Sequence, residues 1–180
     1  TGQMLNYASL ARDADISQPT AKHYLGILET SGLVYRLYPY LRNRNRQMIR
    51  TPKVYLLDCG LAAYLTDWTT PAVLASGAMA GQFFETWCVG EILKSYTNEG
   101  LRPRLYYYRD KDQREIDLII EQNGTLHPVE FKKGATLRQD DTKSFAALKQ
   151  FNKPVGKGAL VSLHPDLLQI RPDCMAVPAG

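Results

Sequence analysis

Asn123-Gly124 stands between two β-rich stretches, Glu115–Glu121 and Leu126–Lys132. Asn-Gly at such a junction is the strongest local signal for a two-residue hairpin loop, because both central residues of the favoured turn need positive φ. A two-residue loop fixes the register. Asp117 then stands opposite Glu130, and Glu115 opposite Lys132. Side chains alternate along a strand, so these four are expected on one face, with Ile116, Leu118, Val129 and Phe131 on the other. Two carboxylates facing each other at ~5 Å repel, and a cation between them relieves the repulsion. A slip of one residue in the turn would carry Asp117 to the opposite face.

An Asp opposite Glu-x-Lys is the arrangement a metal-dependent phosphodiesterase needs. Carboxylates on neighbouring strands offer hard oxygen ligands to Mg²⁺ or Mn²⁺. Lys132, two residues beyond Glu130, points to the same side and is placed to hold a scissile phosphate or orient a water. The metal would stabilise charge in the transition state. Glu85, on the helix before the sheet, is the first candidate for a third acid, with Glu91 second. The expected catalytic set is thus Asp117, Glu130, Lys132 and Glu85, with Asp117, Glu130 and Glu85 as metal ligands. The same spacing also fits a solvated hairpin in which Glu115 and Lys132 pair across the strands.

The 180 residues accommodate one domain or two small ones. A net charge of +4 is compatible with a nucleic-acid partner without requiring one. Cys59, Cys88 and Cys174 are far apart and form no CxxC pair, which argues against zinc or a disulfide framework and for reduced thiols in the cytoplasm. No apolar run approaches the ~20 residues of a membrane span. The chain opens Thr1-Gly2-Gln3 without an initiator Met, as expected of a piece of a longer protein. The composition changes near residues 67–80, where Asp67–Pro71 interrupts helix and Ala75–Ala78 is small and flexible. This divides the chain into residues 1–70 and 71–180.

The first part reads as a winged helix-turn-helix. Asn6 caps a helix over Tyr7–Asp13, and Ser17 caps a second with Pro19 in its first turn. Ala21, Tyr24, Leu25 and Leu28 fall on one helical stripe, expected to be buried. Leu33–Leu37 and Val54–Leu57 read as partner strands, and Asp58 as the cap of a helix over Cys59–Leu65. From Arg36 to Lys53 there are six basic residues and no acid. Arg42, Arg44, Arg46 and Arg50 form a wing suited to phosphates, and Lys22 lies on the helix that would meet a groove, beside Gln18, Thr20 and His23. A packing element or lid is the alternative reading of this part. The second part reads α-β-β-β-α-β: a helix over Gln82–Thr97, strand Leu105–Arg109, the hairpin, an amphipathic helix Asp140–Gln150, and strand Ala159–Leu163. An edge is expected at Leu168–Ile170 or Met175–Val177. Trp68 and Trp87 read as core, and Tyr106–Tyr108 as a central strand with mixed faces.

On Asp117, Glu130-Phe131-Lys132 and Glu85, residues 80–163 resemble the PD-(D/E)XK nuclease superfamily, a restriction-endonuclease-like fold that includes Holliday junction resolvases. Its usual Pro before the Asp is replaced by Glu115-Ile116. The whole chain also resembles the C-terminal half of bacterial and archaeal AAA-type ATPases that carry a domain of unknown function. Ser17-x-x-Thr20-x-x-x-Tyr24-Leu25, Pro39-Tyr40, Pro52–Leu61, Gly81-x-x-x-Glu85 and Glu115-x-Asp117 carry that likeness. The resemblance implies an α/β chain, a winged helix followed by a nuclease-like domain. It also implies an upstream ATPase domain as partner, which alone would bind ATP, since no phosphate-binding G-x-x-x-x-G-K-[ST] loop occurs here. Expected cofactors are Mg²⁺ or Mn²⁺. The expected function is that of a DNA-associated module, either a nuclease or a non-catalytic regulator of the ATPase.

Overall fold

The Asn123–Gly124 turn forms with φ of 50° and 78°, the left-handed values that both central positions of this hairpin turn demand. The computed structural model describes residues 1–41, 50–68 and 70–179. The fold is mixed α/β and divides into two units: Thr1–Leu37 with Thr51–Trp87, and Tyr38–Arg50 with Cys88–Gly180.

In the first unit, strand β1 (Gln3–Met4) precedes helices α1 (Tyr7–Asp13) and α2 (Gln18–Thr30). Both helices start where a side chain satisfies an orphan amide: Asn6 Oδ1 accepts from Ser9 N at 3.0 Å, and Ser17 Oγ from Thr20 N at 3.2 Å. Strand β2 (Val34–Pro39) pairs through Leu37 with antiparallel β3 (Lys53–Leu56), and β1 lies on the far edge of β3. Helix α3 (Cys59–Leu65) is capped by Asp58, whose Oδ1 accepts from Leu61 N at 2.8 Å. The α2 stripe is narrower than its spacing implies. Only Ala21 and Leu25 are buried, while Tyr24 is 54% and Leu28 39% exposed.

The stretch expected to be flexible is folded. Residues Pro71–Ser76 form helix α4, with Thr70 as cap and Pro at the first position, where its missing N–H costs nothing. Gly77 ends it against the Trp68 indole, where an added Cβ would stand 2.5 Å from a ring carbon. Trp68 in turn stacks on Phe83 of helix α5 (Ala80–Asn98), with centroids 5.6 Å apart. Trp87, expected in the core, is 40% exposed.

The second unit is built on a mixed sheet of β4 (Arg104–Arg109), β5 (Glu115–Gln122), β6 (Thr125–Lys132), β7 (Gly158–Ser162), β8 (Leu168–Arg171) and β9 (Cys174–Pro178). The strand order is β4-β5-β6-β7-β9-β8, and Tyr38–Pro39 add in parallel to β4. The pairs β4–β5, β5–β6 and β8–β9 are antiparallel; β6–β7 and β7–β9 are parallel. Residues Gln139–Phe151 form a 3-10 helix in place of the amphipathic α-helix expected over Asp140–Gln150. Its buried residues, Thr142, Phe145, Leu148 and Phe151, recur every third position. Three residues per turn lines them up on one edge, where 3.6 would let the stripe drift. Phe145, Leu148 and Phe151 join Tyr40, Tyr108, Ile116, Ile119, Leu126 and Cys174 in one core cluster. Among the described residues no helix is long and apolar enough to cross a membrane.

The Gly77–Trp68 contact predicts a sharp asymmetry between two glycines. Gly77→Ala should lower the unfolding free energy by about 1–3 kcal/mol through overpacking. Gly81→Ala, which meets nothing within 4 Å inside α5, should stabilise by up to ~1 kcal/mol through helix propensity. Urea titrations of the two variants test this, and equal midpoints would contradict the packing.

Candidate functional site

The hairpin register is the one its turn dictates: Gln122 pairs with Thr125, Ile120 with His127 and Leu118 with Val129. Toward its open end the regular alternation breaks. On the β4 side Tyr106 pairs with Ile119 and Tyr108 with Ile116, so Asp117 and Leu118 together stand opposite the single residue Tyr107. This bulge puts Ile116 and Ile119 in the same core cluster, although strict alternation assigns them to opposite faces. The strict alternation behind the expected face assignment is therefore broken at this position, although Ile116 and Leu118 are both buried and Asp117 is half-buried. What draws Asp117 to the neighbouring strand is a direct hydrogen bond: the Phe131 amide donates to Asp117 Oδ2 at 3.0 Å. One carboxylate oxygen of Asp117 is thus seated on the residue between Glu130 and Lys132. Glu130 is half-buried and pairs with Leu160 of parallel β7.

Lys132 donates from Nζ to Asp141 Oδ1 at 2.5 Å. The other oxygen of Asp141 accepts from Arg138 N at 2.7 Å, closing the first turn of the 3-10 helix. Burial alone would raise the Asp141 pKa. The Lys132 hydrogen bond, the Arg138 amide and the two positive charges outweigh it and hold the carboxyl below its ordinary value. Glu115 pairs with Arg109 across β4–β5 at 3.2 Å.

The entrance to β5 is organised by Asp110, which is 7% exposed. Its Oδ1 accepts from the amides of Asp112 and Arg114 at 2.9 and 3.0 Å. Its Oδ2 accepts from Tyr108 Oη at 2.9 Å and Arg114 Nε at 2.8 Å. Gln150 Nε2 donates to the same Tyr108 oxygen at 2.8 Å, tying the 3-10 helix to this node. Burial works to raise the Asp110 pKa, but the donors from Tyr108 and Arg114 prevail and lower it.

Glu85 belongs to the first unit. Its Oε1 accepts from Lys53 Nζ at 2.9 Å and from Tyr55 Oη at 2.6 Å. Lys53 and Tyr55, two apart on β3, are 3% and 0% exposed. Glu91, the second candidate acid, is exposed and pairs with Lys94 one turn on at 2.7 Å. Among the described residues no group of three or more His, Cys, Asp or Glu is arranged to hold a metal ion. Lys22 is exposed on α2, beside Pro19, His23, Gly26 and Ile27 along a shallow depression. Arg50 is described, whereas Arg42, Arg44 and Arg46 of the expected wing lie outside the described residues.

Four residues that structure the two units were not given these roles from the sequence. Asp141, three after Arg138, has the spacing of a helix-start acid. Lys53 and Tyr55 alternate onto one face of a short apolar strand, and Asp110 precedes a Lys-Asp-Gln turn. Each signal names a position; none names the partner.

Residues 80–179 match the model of a domain of unknown function, DUF4143. The chain belongs to that family. Residues 1–72 match a second domain of unknown function, DUF8612. Uncharacterized proteins of Mycobacterium bovis and Mycobacterium tuberculosis are each 31% identical over 136 residues, covering 75% of this chain. That stretch spans only 30% of each relative's length. No solved structure matches the chain.

Two charge nodes yield measurable expectations. Glu85→Gln leaves the buried Lys53 ammonium without its carboxylate and should cost about 3 kcal/mol in chemical denaturation. The Asp110 pKa is lowered on folding, so its contribution is fully present above the ordinary carboxylate value and is lost as pH falls through the lowered folded value. Asp110→Asn should therefore cost about 1–3 kcal/mol at neutral pH. That cost should shrink progressively below about pH 4. A difference that does not vary with pH would contradict the assignment.

Proposed function

We propose that this chain is a nucleic-acid-associated module whose β5–β6 hairpin carries a metal-dependent phosphodiesterase site made of Asp117, Glu130 and Lys132. The observation that carries the reading is the Phe131 amide bond to the Asp117 carboxylate at 3.0 Å, which places that carboxylate on the Glu130-Phe131-Lys132 segment. The donor chemistry fits Mg²⁺ or Mn²⁺, since Mg²⁺ commonly takes one or two carboxylates and completes its shell with water and phosphate oxygens. Asp117 and Glu130 would hold it. When bound, the ion would neutralise developing charge on the phosphoryl group.

The chain's own residues supply the rest. The Phe131 amide orients Asp117, and the strand pairing of Glu130 with β7 fixes its backbone. Lys132 offers a cation at the end of the same strand, positioned for a phosphate oxygen or an attacking water. The restriction-endonuclease-like and winged-helix architectures belong to this proposal, as does an AAA-type ATPase domain elsewhere in the full-length protein. The length of the relatives beyond the matched stretch accommodates such a domain.

A second reading, a non-catalytic DNA- or protein-binding regulator of that ATPase, draws on the engagement of the candidate site by other protein groups. Lys132 is paired with Asp141, and Glu85 with Lys53 and Tyr55. In this reading the basic residues Lys22, Arg42, Arg44, Arg46 and Arg50 contact DNA phosphates.

The two readings separate in one experiment. Plasmid, branched DNA and RNA are incubated with Mn²⁺ and the wild-type chain, Asp117→Ala or Lys132→Ala. The phosphodiesterase reading expects cleavage by wild type and a loss of at least about 100-fold in both variants, the scale of removing a group that stabilises transition-state charge. Equal activity in all three, or none in wild type, would contradict it. DNA binding that weakens and loses salt dependence in Arg44→Ala/Arg46→Ala, without cleavage, would favour the second reading.

A further inference from the structure

We infer that Asp141 is the positioning residue for Lys132, setting where its ammonium stands relative to the Asp117 carboxylate. The inference rests on the phosphodiesterase reading of the hairpin. A lysine ends in a flexible four-carbon stem, and an untethered ammonium samples many positions. Here Nζ is held by Asp141 Oδ1 at 2.5 Å, with the two side chains only 33% and 19% exposed. Partial shielding makes such a pair more persistent than an ion pair in open solvent.

Asp141 is itself fixed. Its second oxygen receives the Arg138 amide at 2.7 Å, and the next residue, Thr142, begins the buried edge that docks the 3-10 helix. The helix is anchored again at its far end, where Phe151 packs edge-on against Tyr40 and Tyr108. Asp141 is anionic at neutral pH, and the Lys132 hydrogen bond and the Arg138 amide favour that charged form. The placement of Lys132 is therefore relayed from a docked helix through a carboxylate whose two oxygens have separate tasks, one on the backbone and one on the lysine.

Asp141→Asn separates those tasks, because the amide oxygen still accepts from Arg138 while the negative charge is gone. In Mn²⁺-dependent cleavage by the full chain, Asp141→Asn should lower kcat about 10- to 100-fold, the scale of a misplaced reacting group. KM should stay within about twofold, as expected for an interaction that matters in the transition state. Asp141→Glu, which restores the carboxylate on a longer stem, should recover part of the loss.

A readout independent of catalysis accompanies this: reductive methylation followed by mass spectrometry. Lys132 should react several-fold faster in Asp141→Asn than in wild type, while the exposed Lys143 and Lys149 should keep their rates. Wild type that cleaves nothing overturns the phosphodiesterase reading and this inference with it. Wild type that cleaves while Asp141→Asn cleaves equally well overturns the inference alone. So does an unchanged Lys132 methylation rate in a folded Asp141→Asn chain. If Asp141→Asn does not fold, Asp141→Ser, which also removes the charge while keeping an oxygen acceptor, carries both measurements, and a kcat and Lys132 reactivity identical to wild type would then overturn it.

Discussion

The left-handed turn at Asn123–Gly124 is the constraint from which the rest of the proposed site follows. Two consecutive positive-φ residues close the hairpin in two positions, and a two-residue loop leaves a single pairing of β5 with β6. That pairing runs as far as Leu118 and Val129, and just beyond it the Phe131 amide holds the Asp117 carboxylate beside the Glu130–Lys132 segment. It also builds the core, since Ile119 and Leu126, on opposite strands of the hairpin, join one cluster with Phe145 and Leu148. Register and core support each other, because a one-residue slip would turn fully buried side chains toward solvent.

Beyond the regular ladder, polar groups take over from strand pairing. The bulge at Asp117–Leu118 interrupts alternation, and the Asp117 carboxylate takes the Phe131 amide. Asp110 gathers two amides, a guanidinium and a phenol at the start of β5. Burying a carboxylate is costly unless donors converge on it, and four donors do so here. In the first unit Glu85 is held in the same way by Lys53 and Tyr55. Pairs of this kind fix geometry more than they add stability, since desolvation offsets much of their attraction.

What was legible in the sequence was local. The Asn-Gly turn and the caps Asn6, Ser17 and Asp58 depend on residues within three or four positions, and their backbone preferences are carried by the residue type. The bulge was not legible, because strand periodicity assumes unbroken alternation and nothing in Glu115-Ile116-Asp117-Leu118 marks an extra residue. The 3-10 helix was half legible: Phe145, Leu148 and Phe151 carry a spacing of three, which is ambiguous until the core they pack into selects it. The α2 stripe failed because helical periodicity says which residues share a face but not how much of that face is covered, and Tyr24 and Leu28 remain exposed. The partners of Lys132 and Glu85 lie 9 and 32 residues away, a distance over which side-chain pairing is set by the fold.

The central claim is that Asp117 and Glu130 act together as a divalent-cation site on the hairpin. The most direct measurement is the paramagnetic broadening of backbone amide resonances during titration with Mn²⁺. The proposed site predicts broadening concentrated at Asp117 and at Glu130–Lys132, absent in Asp117→Asn/Glu130→Gln. Broadening spread over the acidic surface, or centred elsewhere and unchanged in that variant, would contradict it.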